Sequence, residues 1–196
     1  MTVDQSASRS LTDVRSYVQW FDDALPADFC NQMVAAFNQM PSHHAANGRG
    51  HQAALTDSAW TELDIQPHVD AAFMGFFHSK IDEYLARYNA SLPMTLPVPN
   101  RPKLENLRIK RYSCAAREGF QPHFDAGDAH MDRYLVFLWY LNDVAEGGET
   151  QFPDLGIKVQ ARTGRLLMFP PYWMFQHVGV APISNDKYIV STYMLF

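Results

Sequence analysis

At 196 residues, with 47% apolar and 19% charged side chains, the chain has the composition of one globular domain large enough to bury a core. Its net charge of -5 weighs against a nucleic-acid binder, which normally presents a basic face, and no run approaches the ~18 apolar residues of a membrane span. Cys30 and Cys114 are too few for a disulfide framework or a zinc motif, and the polar start Met1 to Ser10 has no apolar core of a secretory signal; a cytoplasmic protein with reduced thiols, no membrane and no nucleic-acid partner is expected.

The first half reads as helix. Pro26 and Asp28 open a segment in which Phe29, Met33, Phe37 and Met40 recur at helical spacing. A loop is expected from Pro41 to about Trp60, carrying Gly48, Gly50, His43, His44 and His51. No carboxylate or thiolate stands at ligand spacing from those histidines, so they read as solvated, and residues 41–58 read as a lid over a site. Pro67 marks the first turn of a longer helix, its apolar face made by Val69, Phe73, Phe76, Phe77, Ile81, Leu85 and Tyr88. His68 and His78 on that helix read as surface or packing residues. Pro93, Pro97, Pro99 and Pro102 end it and stiffen a connector.

The second half reads as strand. Asn106 to Cys114 alternates Leu107, Ile109 and Arg111 with Arg108, Lys110 and Tyr112, and Tyr134 to Leu141 is the near-continuous apolar run of a strand buried on both faces. Glu149 to Phe152, Ile157 to Gln160 and Arg165 to Phe169 each follow a glycine turn, and Tyr188 to Phe196 closes the chain. Six or seven such strands imply a sandwich or jelly roll. Helices followed by strands imply an α+β fold in a single domain over 1–196: a helical part at about 20–103 packed on one sheet of a barrel at about 104–196.

Chemistry concentrates around Gln121-Pro122-His123-Phe124-Asp125. On extended backbone, residues two apart point the same way, so the His123 imidazole and the Asp125 carboxylate converge on one ion. A third ligand must come from far along the chain, and His177 follows the strand that ends at Phe169-Pro170-Pro171. Two histidines and one carboxylate on one face of an octahedron leave three positions open, the facial triad of non-haem iron(II) oxygenases. Lys187, ten residues beyond His177 at the start of the last strand, would be a costly buried cation unless it met an anion, such as the far carboxylate of a dicarboxylic co-substrate. Asp128 and His130 form a second pair two apart, read as part of a polar loop at the site mouth.

From about Asn106 to Phe196 the chain resembles the prolyl 4-hydroxylase-like branch of the 2-oxoglutarate and Fe(II)-dependent dioxygenases. The resemblance runs through Arg111-Tyr112, Pro122-His123-Phe124-Asp125, Tyr140-Leu141-Asn142, Gly147-Gly148-Glu149-Thr150, Phe152-Pro153, Gly164, Phe169, His177 and Lys187, in the family's order. More faintly, Phe21 to Phe37 is similar to the family's leading strand and helix. One departure is the pair Asn185-Asp186 before Lys187, where the family has glycine; both residues tolerate turn geometry.

The resemblance implies a double-stranded β-helix, a jelly-roll or cupin-like barrel, with Fe(II) held by His123, Asp125 and His177. It implies 2-oxoglutarate bound with its distal carboxylate on Lys187 and flanked by Tyr112 and Tyr140, O2 as oxidant, and ascorbate as a candidate reductant. The implied activity is hydroxylation of a substrate C–H bond, a prolyl residue in a peptide or protein being the first candidate. Rival readings are an oxygenase acting on a free amino acid or other small metabolite, and a non-catalytic cupin-like binding module in which Lys187 would have no anion to meet. Fold-level analogy does not choose the substrate.

Overall fold

Period-two alternation along the second half builds two antiparallel sheets, and the computed structural model describes them over residues 13–99, 103–127 and 130–196. Strand β1 is Gln19–Phe21, helix α1 is Ala27–Gln39, β2 is Ala45–Gly48, β3 is Ala59–Asp64 and helix α2 is Ala71–Ser91. There follow β4 (Lys103–Leu104), β5 (Arg108–Tyr112), β6 (Phe120–His123), β7 (Arg133–Tyr140) and β8 (Thr150–Phe152). The last four strands are β9 (Ile157–Val159), β10 (Leu166–Phe169), β11 (His177–Gly179) and β12 (Lys187–Leu195). The large sheet runs β1-β10-β7-β12-β5-β3-β2 with β4 also on β12, and the small sheet runs β6-β11-β8-β9.

The sequence reading of the first half needs two corrections. It is not simply helical, because β1 to β3 join the large sheet, and the loop expected from Pro41 to about Trp60 contains β2 and the start of β3. Pro67 lies in a 3-10 turn, Gln66–His68, which also takes His68 off the long helix. Helix α2 begins later, where the Asp70 carboxylate accepts the Phe73 amide at 2.8 Å as an N-cap. Met1 to Ser10, Pro102 and Asp128 lie outside the described residues. Among the described residues no helix is long and apolar enough to cross a membrane.

Strands β7, β10 and β12 of the large sheet serve two cores. Leu135, Phe137 and Trp139 of β7, with Leu166 and Met168 of β10 and Val190 of β12, turn to one face and pack under Phe37 of α1 and Phe77, Ile81 and Leu85 of α2. The alternate residues Val136, Tyr140, Leu167, Phe169 and Ile189 turn to the other face, toward Phe152 and Val159 of the small sheet. Both helices therefore cover the outer face of one sheet, as expected from the sequence, and the inner face is left to form a site. Gly164 holds this arrangement at one corner: its φ of +77° suits glycine, a Cβ there would sit 2.3 Å from the Leu25 carbonyl oxygen, and its own carbonyl accepts the Ala24 and Leu25 amides at 2.8 and 3.1 Å.

Candidate metal centre and cavity

His123 ends β6 and His177 begins β11, and the two residues stand directly opposite each other in the pairing of those strands. Their rings lie 4.2 Å apart between centroids. Asp125 is two residues past His123, beyond the strand, and the chain is fixed there because the Asp125 and Ala126 amides both donate to the Pro171 carbonyl, at 2.9 and 3.0 Å. The Pro170-Pro171 segment thus seats the carboxylate against the histidine that follows it. Asp125 Oδ1 lies 3.6 Å from His123 Nε2 and Oδ2 lies 3.5 Å from His177 Nε2. One donor atom from each of the three side chains falls within 4.8 Å of the others, and no other group of this kind occurs among the described residues.

Hydrogen bonds fix which nitrogen faces the centre. His123 Nδ1 donates to the Gln121 carbonyl at 2.8 Å and His177 Nδ1 to the Phe175 carbonyl at 3.1 Å. A carbonyl only accepts, so each Nδ1 carries the proton and each Nε2 offers its lone pair to the centre, as metal-bound imidazoles require. Burial, with the neighbouring His123, pushes the His177 imidazole down to about 4, the neutral form at neutral pH. Burial alone would raise the Asp125 carboxyl, but His177, His123 and Lys110 outweigh it and hold the group well below the usual carboxylate range. The Tyr193 hydroxyl donates to Asp125 Oδ1 at 3.2 Å, and Arg133, forked onto Glu105, also donates to the Asp125 backbone carbonyl at 3.2 Å. Two imidazoles with Nε2 turned inward and an ionised carboxylate, oriented before any ion arrives, fit a ferrous ion.

Between the two sheets lies a cavity of about 630 Å³ that takes in all three donors. Lys187, 2% exposed, stands on its wall at the start of β12, opposite Tyr112 of β5. Its ammonium lies 5.4 Å from the centroids of both the Tyr112 and Tyr140 rings. Burial pushes it down to about 7, although Glu149 opposes that fall, and it makes no ion pair among the described residues. The Ser191 hydroxyl, two turns of the pleat along the same strand, is buried on the cavity wall without a partner. An unpaired cation and an orphaned hydroxyl beside the three donors fit an anionic chelating ligand such as 2-oxoglutarate. The two tyrosines differ. Tyr112 lines the cavity, while Tyr140 sits behind the wall with its hydroxyl donated to Thr150 Oγ1 at 2.7 Å, so that Thr150 presents the surface there.

The loop histidines do not join this centre. His44 hydrogen-bonds the Phe37 carbonyl at 2.9 Å and stacks on the Phe37 ring, and His43 packs against His68. Residues 49–58 do approach the cavity, contributing Gln52, Ala54 and Leu55 to its wall. Gln121 ties them down: its side-chain oxygen accepts the Asp57 amide at 3.1 Å and its side-chain nitrogen donates to the Ala54 carbonyl at 3.0 Å. His130 is exposed at the mouth, 3.8 Å from Glu105. Sequence reasoning missed Trp60, Glu62, Lys110, Arg133 and Tyr193 as cavity residues. For Lys110 and Tyr193 the signal was present, since each shares a strand face with a residue that was singled out.

Residues 107–195 match the profile of the 2OG-Fe(II) oxygenase superfamily. The match spans a little under half of the chain and takes in all three donors and Lys187. Iron(II) and 2-oxoglutarate are the cofactors of such oxygenases, in agreement with the donor set and the cation described above. The chain is similar to a probable prolyl 4-hydroxylase 11 of Arabidopsis thaliana, 35% identical over 72 residues that make up 33% of this chain and 24% of that protein. It spans at most about a quarter of the length of the curated relatives it matches. In fold it is similar to a viral collagen prolyl hydroxylase of Paramecium Bursaria Chlorella virus-1 solved with 2OG (18% identity, TM-score 0.62, 91% of this chain and 95% of that one). It is also similar to a prolyl hydroxylase of Trichoplax adhaerens in complex with a hypoxia inducible factor peptide (16% identity, TM-score 0.71, 92% of this chain and 84% of that one). At these identities the two oxygenase structures speak for the fold, a mixed α and β architecture with antiparallel sheets.

Proposed function

We propose that the protein is a 2-oxoglutarate- and Fe(II)-dependent hydroxylase acting on a C–H bond of a substrate held in the cavity between the sheets. The convergence of His123, Asp125 and His177 carries this reading, because three donors from two strands and a turn meet with their lone pairs already aimed at one point. These three residues would hold iron, and Lys187 would pair the distal carboxylate of 2-oxoglutarate with Tyr112 against it. When bound together, iron, 2-oxoglutarate and O2 supply the oxidising power for C–H hydroxylation, with succinate and carbon dioxide as co-products and ascorbate as a supporting reductant. The protein's own part is to position and to exclude water. Tyr193 and Arg133 hold Asp125 in place, Lys187 orients the co-substrate, and residues 49–58, tied by Gln121, cover the cavity. We read the two facing sheets as a double-stranded β-helix, and residues 1–196 as one catalytic domain whose free thiols suit the cytoplasm.

A prolyl residue in a peptide is the substrate that the likeness to prolyl hydroxylases supports. A free amino acid is the second reading, favoured by the unpaired cation Lys110 on the cavity wall. A non-catalytic cupin-like module would leave the buried Lys187 with nothing to pair. Succinate release with Fe(II), ascorbate and 2-oxoglutarate, screened over peptides and free amino acids, tests the activity. Turnover by the wild-type protein, with loss of both bound iron and succinate in His123→Ala, is expected. Succinate formation that persists in His123→Ala sinks the assignment.

A further inference from the structure

Opposite the small sheet, the cavity wall carries charges in a definite order. On β3 and β5, Glu62 stands directly across from Lys110, and on the other side Lys110 faces the apolar Ile189 of β12. Glu62 is already engaged: it accepts the Trp60 indole N–H at 3.1 Å through Oε2 and the Arg108 guanidinium through Oε1. Burial alone would push its carboxyl up, yet Lys110 and Arg108 bring it below the usual range, so it is ionised. The other carboxylate of this wall, Glu105, is held by both arms of Arg133 at 2.6 and 2.8 Å. Glu62 and Glu105 each carry a guanidinium, and Lys110 is left without a close partner of its own. It makes no ion pair among the described residues, its ammonium lies 5.8 Å from the Trp60 ring centroid, and burial lowers its proton affinity against the pull of Glu62 and Asp125. Lys187 is its diagonal neighbour on the same wall, paired across to Tyr112 where Lys110 is paired across to Ile189.

Resting on the oxygenase reading above, we propose that Lys110 is a specificity-determining residue that receives a carboxylate of the substrate to be hydroxylated, so that the cavity selects a molecule with a free carboxylate close to the oxidised C–H bond. An anion restores what partial burial takes from this cation, and a charge-assisted bond to it discriminates against a neutral isostere. Two sources offer that group: a free amino acid, or a peptide ending at, or bearing a carboxylate beside, the hydroxylated residue.

The test compares succinate release for each free amino acid with its carboxamide, and for proline-containing peptides with free and with amidated C-termini. Calorimetric titration of the same probes into protein loaded with Mn(II) and 2-oxoglutarate reads binding without turnover. An acid probe that binds and turns over, with its amide weaker by roughly 10- to 100-fold, is expected. The free amino acids and the peptides then identify the source. Lys110→Met should raise KM for the acid by a similar factor with a smaller change in kcat, and Lys110→Arg should recover part of it. Amides or fully blocked peptides that match the acids in the wild type overturn the proposal even if Lys110→Met fails to fold, as does an unchanged KM in a folded Lys110→Met. Failure of the wild type to bind 2-oxoglutarate at all sinks the activity beneath it instead.

Discussion

The two faces of the large sheet are made by the same strands and do opposite things. On the helix side β7 offers Leu135, Phe137 and Trp139 to α1 and α2, all buried among apolar neighbours. On the cavity side β5 and β12 offer Lys110, Tyr112, Lys187, Ser191 and Tyr193, several of them charged or without a partner. The difference teaches where free energy resides. One face holds the fold together, while the other keeps costly polar groups in place for ligands that relieve the cost.

Substitutions that separate the faces give the sharpest outcomes. Removing the proposed ligand Asp125 with Asp125→Ala should take turnover to background and release iron, with both read on the same sample by succinate assay and metal analysis. Phe77→Ala, on the dry face, should lower unfolding free energy by about 3–5 kcal/mol in denaturant titration and leave turnover per folded molecule intact. Lys187→Met should raise KM for 2-oxoglutarate by roughly 10- to 100-fold while preserving the fold, because it removes a charge-assisted contact and a desolvated ammonium together. The same residue predicts a pH effect. Burial brings Lys187 from its ordinary 10.5 down to about 7, so between those values the unfolded chain binds the proton more readily. The stability of the ligand-free protein should rise with pH across that window, and Lys187→Met should flatten the rise in thermal unfolding series. The smallest effect is expected from Tyr193→Phe, which deletes the hydroxyl on Asp125 Oδ1 and should weaken iron binding by about 10-fold in competition with a chelator.

How much of this was legible in the sequence depends on the range of the physics involved. His123 and Asp125 could be paired because a two-residue spacing on extended backbone is local, and Lys187 could be singled out because a strand-end cation near a metal ligand needs an anion. The alternation of Leu107 and Ile109 against Arg108, Lys110 and Tyr112 gave the two faces of β5 correctly. Trp60 and Glu62 were lost because β3 lies between glycines and prolines, and its pairing with β5 across some fifty residues leaves no local trace. Tyr140 shows the opposite limit: its place on the strand was readable, but the hydroxyl that turns to Thr150 is a matter of which rotamer the neighbouring strand allows.

The cross-strand facing of His123 and His177 has a mechanical consequence. Both histidines belong to the small sheet, whereas Lys187 and the hydroxyl that steadies Asp125 belong to the large one. A chelate anchored at both ends would act as a rivet through the sandwich, resisting the parting of its two layers. Loading the centre should then protect amides of β6 and β11 from exchange with deuterium, strands that share no ladder with the large sheet.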